Sequence, residues 1–191
     1  MSTLQAALLP ASRLMKRAAI IDFEASCLPE GNFSYPIEVA LAKFGGPSRT
    51  WLIKPTAEWE DWDWCNEAEA LHGISRDLLM RDGLPPEQVL AELTAEAADC
   101  DVYADCDLDA YWLETLAAAC GQPAPFPIRY LGELLLKRGY KRPQVVAALD
   151  EARRHLPVKH VARDDAGRLA LTLRLLAANH GQVQAGRAMS A

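Results

Sequence analysis

The chain has 191 residues, half of them hydrophobic, and a formal net charge of −6 at neutral pH. This is enough for one substantial core, and no apolar run approaches the roughly 20 residues that a membrane-spanning helix needs. Residues 1–128 hold 8 Lys and Arg against 21 Asp and Glu, a net charge of −13, whereas residues 129–191 hold 12 against 5, a net charge of +7. The acidic part can carry a metal site and the basic part can meet an anionic ligand, but an ordinary charged surface explains both equally well.

The N-terminal residues 1–17 are typical of a short amphipathic helix or a loose arm. The apolar run at residues 4–9 is short, and basic residues follow it rather than precede it, so it is not typical of a signal peptide. The five cysteines are odd in number and form no Cys-x-x-Cys pair, which favours free thiols in a reducing compartment. We therefore expect a cytoplasmic protein.

The first strand is predicted over residues 18–24, where Ala19-Ile20-Ile21 leads into Asp22-Phe23-Glu24. Alternate side chains of a strand share a face, so Asp22 and Glu24 point the same way. Two carboxylates about 4 Å apart repel by about 4 kcal/mol at an effective dielectric near 20. Hard divalent cations would remove that repulsion, because they prefer oxygen ligands. A lone Asp-x-Glu is more often a strand followed by solvated acids, so other motifs must decide.

Two more strands are predicted over residues 37–44 and 49–54, after a turn at residues 32–36. With the first strand they form an antiparallel three-strand meander. Three tryptophans at positions 59, 62 and 64 then stand in an acidic loop. They can flank a nucleobase, although tryptophans in a long loop more often fill the core.

The rest of the chain alternates helices with short strands, which predicts an α/β fold with a mixed central sheet flanked by helices. Helices are predicted from the N-cap Ser75 to Arg81 and over residues 86–97, 105–119, 131–138, 143–155 and 164–180. Short strands are predicted at residues 101–104 and 128–131. No repeat or linker interrupts the pattern, so we expect one domain over residues 18–180 and a flexible tail over residues 181–191.

Three motifs stand in order along the chain. They are Asp22-Phe23-Glu24, then Asp109 within the segment Asp105–Leu113, then His160-Val161-Ala162-Arg163-Asp164-Asp165-Ala166. With this order and spacing, residues 18–178 resemble the DEDDh-type 3′–5′ exonucleases, a family that includes proofreading subunits and small exoribonucleases. The segments Tyr35–Ala40 and His72–Ile74 are also similar to connecting segments of that family. The resemblance implies a ribonuclease-H-like fold.

The resemblance also implies a chemistry. Asp22, Glu24, Asp109 and Asp165 would hold two divalent cations, Mg²⁺ or Mn²⁺, with Asp22 between them, and His160 would take the proton of the attacking water. The expected activity is a metal-dependent 3′–5′ exonuclease that acts on the 3′ end of single-stranded DNA or RNA. Related small enzymes often pair, so the resemblance also indicates a homodimer.

Two positions depart from the family pattern. The second motif usually reads His-Asn-x-x-Phe-Asp, but here it reads Ala104-Asp105-Cys106-Asp107-Leu108-Asp109, so Asp105 competes with Asp109 for the ligand role. Cys27 stands where a glycine is common. Asp164 is expected to cap the last helix, which leaves the ligand role to Asp165.

The altered second motif leaves an alternative open, namely a catalytically impaired nucleic-acid-binding or protein-binding module on the same fold. A zinc enzyme is disfavoured, because no Cys/His spacing fits a structural zinc site. The basic segment 137–142 is a candidate backbone-binding patch through Lys137, Arg138, Lys141 and Arg142. Arg163 and Arg168 can contact phosphates, but helix arginines usually face solvent. The choice between RNA and DNA stays open.

Overall fold

The computed structural model describes residues 17–30 and 33–188, and the side chains up to residue 179. The predicted N-terminal arm falls almost entirely outside these residues, as does the end of the predicted tail. The strands are β1 (Ala18–Ala25), β2 (Pro36–Lys43), β3 (Ser48–Leu52), β4 (Asp101–Ala104) and β5 (Ile128–Tyr130). The helices are α1 (Asn66–His72), α2 (Arg76–Asp82), α3 (Pro86–Ala97), α4 (Leu108–Ala119), α5 (Leu131–Lys137), α6 (Arg142–His155) and α7 (Ala162–Ala188).

The five strands form one mixed sheet in the order β3-β2-β1-β4-β5. Strand β1 pairs antiparallel with β2, which pairs antiparallel with β3, and this is the predicted meander. On its other side β1 pairs parallel with β4, and β4 pairs parallel with β5. The predicted α/β class, with a mixed central sheet made of an antiparallel meander and parallel strands, is therefore confirmed, and β1 lies at the centre of the sheet.

The alternation of β1 divides the core into two layers. Ile21 and Phe23 point into a cluster that includes side chains of α3 and α4. Ala18 and Ile20 point to the opposite face, where small residues of α7, including Ala162, cover the sheet. Asp22 and Glu24 continue the second series, so they leave the strand on the face that α7 covers.

Trp59 confirms the core interpretation of the tryptophan loop. Its side chain is 1% exposed and stacks on Tyr35, with ring centroids 5.3 Å apart and an interplanar angle of 14°. Trp62 is only partly buried and lies against the exposed Phe33. The tryptophan loop thus attaches to the end of the central hairpin through aromatic contacts.

One helix was not predicted, and the bounds of others differ from the predicted ones; α4, for example, begins at Leu108 rather than at residue 105. Helix α1 was not predicted, and none of its residues is buried, so it lacks the apolar stripe on which a periodicity argument depends. Helix α7 begins at Ala162 and runs to Ala188, eight residues past its predicted end. Within residues 17–30 and 33–188, no helix combines the length and apolarity that crossing a membrane requires.

Candidate active site

Three carboxylates from two distant parts of the chain converge at the carboxyl end of β1. Asp22 and Glu24 lie on the same face of the strand, and the first turns of α7 bring Asp165 against them. One carboxylate oxygen from each residue lies within 4.8 Å of the others, and these three residues could together hold a metal ion. An all-carboxylate donor set suits a hard cation such as Mg²⁺ or Mn²⁺.

Asp109 contacts the same strand from helix α4, which follows β4 in the chain. It lies in the first turn of α4 and is 3% exposed. Its Oδ1 accepts a hydrogen bond of 3.0 Å from the backbone N–H of Phe23, between the two acids of the first motif. The structure therefore brings Asp109 to the backbone of Phe23 across 86 residues of sequence, close enough for its charge to act on Asp22. Asp105 is exposed at the rim, where it lines a cavity of about 140 Å³ together with Asp22 and Asp165.

The electrostatics of the cluster favour the binding of cations. Burial, followed by the charges of Asp109 and Glu24, raises the pKa of Asp22 well above its usual range. Burial and then the charge of Asp165 raise the pKa of Glu24 from 4.5 to about 8. Burial also raises the pKa of Asp109 to about 7, although the Phe23 N–H opposes the rise. Carboxylates this crowded must hold protons or share cations near neutral pH.

His160 lies in the loop between α6 and α7, at the edge of the carboxylate cluster. Its backbone N–H donates a 2.7 Å hydrogen bond to Oδ2 of Asp165, and its side chain is exposed. Its φ angle is +57°, a left-handed conformation that costs a non-glycine residue about 1–2 kcal/mol. The hydrogen bond to Asp165 therefore holds a strained backbone in place.

A second histidine, His72, lies near His160 and was noticed in the sequence only as part of a connecting segment. Its Nδ1 accepts a 3.0 Å hydrogen bond from the N–H of Ile74, which leaves Nε2 as the opposite ring nitrogen. Among the described residues, the buried Nε2 has no hydrogen-bond partner. Burial lowers the pKa of His72, and the nearby charge of His160 lowers it further, although Glu69 acts in the opposite direction.

Arg168 does not face solvent as the sequence suggested. It is 7% exposed, one helical turn after Asp165, and its Nη1 donates to Oδ1 of that carboxylate. Its Nε donates a 2.9 Å hydrogen bond to the carbonyl of Leu156, and its Nη2 donates to the carbonyl of Val158. The sequence contained a signal for this contact, because residues three apart on a helix are neighbours on its surface.

The first N–H of α7 is bonded by a residue that sequence analysis missed. Oε2 of Glu38, on β2, accepts a 3.1 Å hydrogen bond from the N–H of Ala162, and Oε1 accepts a 3.0 Å bond from the hydroxyl of Thr50. The expected cap, Asp164, instead lies 3.5 Å from Nε of Arg163. A carboxylate from the sheet thus fixes the end of the helix that carries Asp165.

Basic side chains line the cavity next to the acids. Arg153 of α6 and Lys159 of the following loop share that cavity with Asp22 and Asp165. The predicted patch at residues 137–142 lies instead around the turn between α5 and α6. Arg142 is eleven residues before Arg153 on the same helix, or about 16 Å along its axis.

No protein-family model and no curated protein sequence matches the chain. Solved structures do share its fold. A 3′-exonuclease described as recognising the histone mRNA stem-loop superposes with a TM-score of 0.61 at 16% identity, covering 83% of this chain and 63% of that one. A full-length 3′-exonuclease gives 0.59 at 17% identity, with coverages of 85% and 82%. Exonuclease I of E. coli in complex with a 5cy-dT13 oligonucleotide gives 0.62 at 11% identity, with coverages of 86% and 41%. The chain therefore has the fold of these proteins and spans between about two fifths and four fifths of their lengths.

Proposed function

We propose that this protein is a metal-dependent 3′–5′ exonuclease that hydrolyses phosphodiester bonds at the 3′ end of single-stranded nucleic acid. The observation that carries the proposal is the convergence of Asp22, Glu24 and Asp165 within 4.8 Å, with Asp109 hydrogen-bonded to the same strand. These acids come from three separate motifs. The fold that gathers them is shared with structures of 3′-exonucleases.

The donor set fits divalent cations. Asp22, Glu24 and Asp165 would hold one cation, and Asp22 with Asp109 would hold a second, because Asp22 lies among all the other acids. Bound cations supply Lewis acidity, which activates water and offsets the charge of the phosphodiester. The raised pKa values of Asp22 and Glu24 support this assignment, since charges assembled at this density need a counter-cation.

His160 would act as the general base in this proposal. Its imidazole is exposed and its backbone N–H is bonded to Asp165, so a proton taken from water would move to a residue at the edge of the site. Arg153 and Lys159, which line the adjacent cavity, would contact the phosphates of the substrate. Asp109 is preferred over Asp105 as the second-motif ligand, because it is buried and held against β1.

The direct test uses 5′-labelled DNA and RNA strands of one sequence, each incubated with Mg²⁺ or Mn²⁺. The proposal requires a ladder of products shortened from the 3′ end, and a 3′-blocked strand must resist digestion. EDTA and Asp22→Asn must each abolish the ladder. Glu114→Gln, which makes the same charge change on an exposed residue of α4, must leave it intact.

The comparison of the two substrates also answers which nucleic acid the site prefers. Cleavage that survives both EDTA and Asp22→Asn would exclude this site as its source. Binding of Mn²⁺ without any product from either strand would instead support the catalytically impaired binding module.

A further inference from the structure

Arg168 is a buried cation inside the carboxylate site, and the chemistry proposed above gives it no role. All three guanidinium nitrogens are engaged, with Leu156, Val158 and Asp165 as acceptors. A guanidinium with these contacts is held in one orientation, unlike a mobile surface charge, because each of its planar donors requires an acceptor in a set direction.

Arg168 contacts both the proposed ligand Asp165 and the segment 156–160, which carries His160. Oδ1 of Asp165 accepts from Arg168, and Oδ2 accepts from the N–H of His160. Both oxygens of this carboxylate are therefore oriented. The segment 156–160 is bonded to α7 at three points, which are the carbonyls of Leu156 and Val158 and the N–H of His160.

We propose that Arg168 is a positioning residue that sets the orientation of Asp165 and holds the segment carrying His160 against it. This inference rests on the proposed function, since it assigns a role within the same site. Asp165 is repelled by two neighbouring carboxylates, so a partner is needed to keep it turned toward them. Arginine suits the role because one planar fork can serve a carboxylate and two carbonyls together.

A simpler role for Arg168 would be charge neutralisation. The two roles predict opposite effects on cation binding when Arg168 is removed. If Arg168 only neutralised the acids, its removal would leave the site more negative and would tighten the binding of a divalent cation. If it orients Asp165, its removal weakens cation binding and slows the reaction. Partners that orient metal ligands typically change affinity or activity by about 10–100-fold when they are removed.

The experiment compares Arg168→Gln and Arg168→Lys with Arg174→Gln, a matched change on an exposed residue of the same helix. Calorimetry with Mn²⁺ alone gives the dissociation constant, and the labelled single strand gives kcat and KM. Urea unfolding in EDTA reports whether each variant is folded. For both Arg168 variants we expect about 10–100-fold weaker Mn²⁺ binding and a similar loss of kcat, with KM within about threefold. Arg174→Gln should stay within about twofold of the parent in every measurement.

Arg168→Lys is the decisive variant, because lysine keeps the positive charge but lacks the planar guanidinium and its several N–H donors. Full rescue by lysine, or tighter Mn²⁺ binding in Arg168→Gln, would overturn the positioning role and leave neutralisation. A parent protein that binds Mn²⁺ no better than Asp22→Asn would instead refute the proposed function and this inference with it. Parent binding that is unaltered by both Arg168 substitutions would refute the inference alone.

Discussion

Replacing Glu24 by glutamine should stabilise the metal-free protein, and the effect should grow with pH. At 4.8 Å, two full charges repel by about 3.5 kcal/mol at an effective dielectric near 20. Burial is the larger cost of ionising Glu24, and the charge of Asp165 adds to it, although the ion pair between Asp165 and Arg168 offsets part of that repulsion. Because Glu24 is only partly buried, solvent reduces the net cost of its charge to about 1–3 kcal/mol.

The pH dependence follows from the raised pKa of Glu24. The folded protein holds this proton up to about pH 8, whereas the unfolded chain releases it near pH 4.5, so stability falls as the pH rises between these values. Glutamine imitates the protonated acid. The variant and the parent should therefore have equal free energies of unfolding near pH 4.5. Above pH 8 the free energy of unfolding of the variant should be larger by about 1–3 kcal/mol.

Urea unfolding in EDTA at pH 4.5, 6.5 and 8.5 measures this difference, with Glu114→Gln as the exposed control. The control should stay within about 0.5 kcal/mol of the parent at every pH. Added Mg²⁺ should stabilise the parent more than Glu24→Gln, because only the parent keeps the full ligand set. A difference between Glu24→Gln and the parent that does not change with pH would refute the reasoning, since it would show that repulsion is not its source.

Three further outcomes are expected. Asp109→Asn should lower kcat at least about 100-fold, whereas Asp105→Asn should lower it less than about 10-fold, and equal losses would contradict the preference for Asp109. Glu38→Ala should lower the free energy of unfolding by about 0.5–2 kcal/mol, because it removes the acceptor that bonds the first N–H of α7; unchanged urea curves would count against that cap. Gly83→Ala should destabilise by about 1–3 kcal/mol, because a Cβ atom there would lie 2.8 Å from the backbone nitrogen of Lys54, and an unshifted melting temperature would show that the loop can move aside.

Local patterns predicted the parts of the fold that depend on neighbouring residues. Alternation along β1 placed Asp22 and Glu24 on one face, and the structure has them there. Ser75 was predicted as a helix N-cap, and its hydroxyl accepts a 3.2 Å bond from the N–H of Leu78. Such contacts span a few residues, so the sequence carries their geometry directly.

Contacts between distant residues were harder to predict. Nothing near Glu38 indicates that it bonds Ala162, because that contact depends on which helix covers which strand. The bond between Asp109 and the amide of Phe23 likewise requires the sheet order to be known. Arg168 was misjudged for a different reason, since its spacing from Asp165 was visible but its burial was not.

The central position of β1 ties the acids to the most protected part of the molecule. Residues 18–20 of β1 pair with β4 and residues 19–25 pair with β2, so the amides bonded on these edges should exchange with solvent only when the whole chain opens. On heating, any activity should therefore be lost together with the cooperative unfolding of the protein, and not earlier through local unfolding at the site. The acids of β1 should therefore keep their arrangement for as long as the fold itself persists.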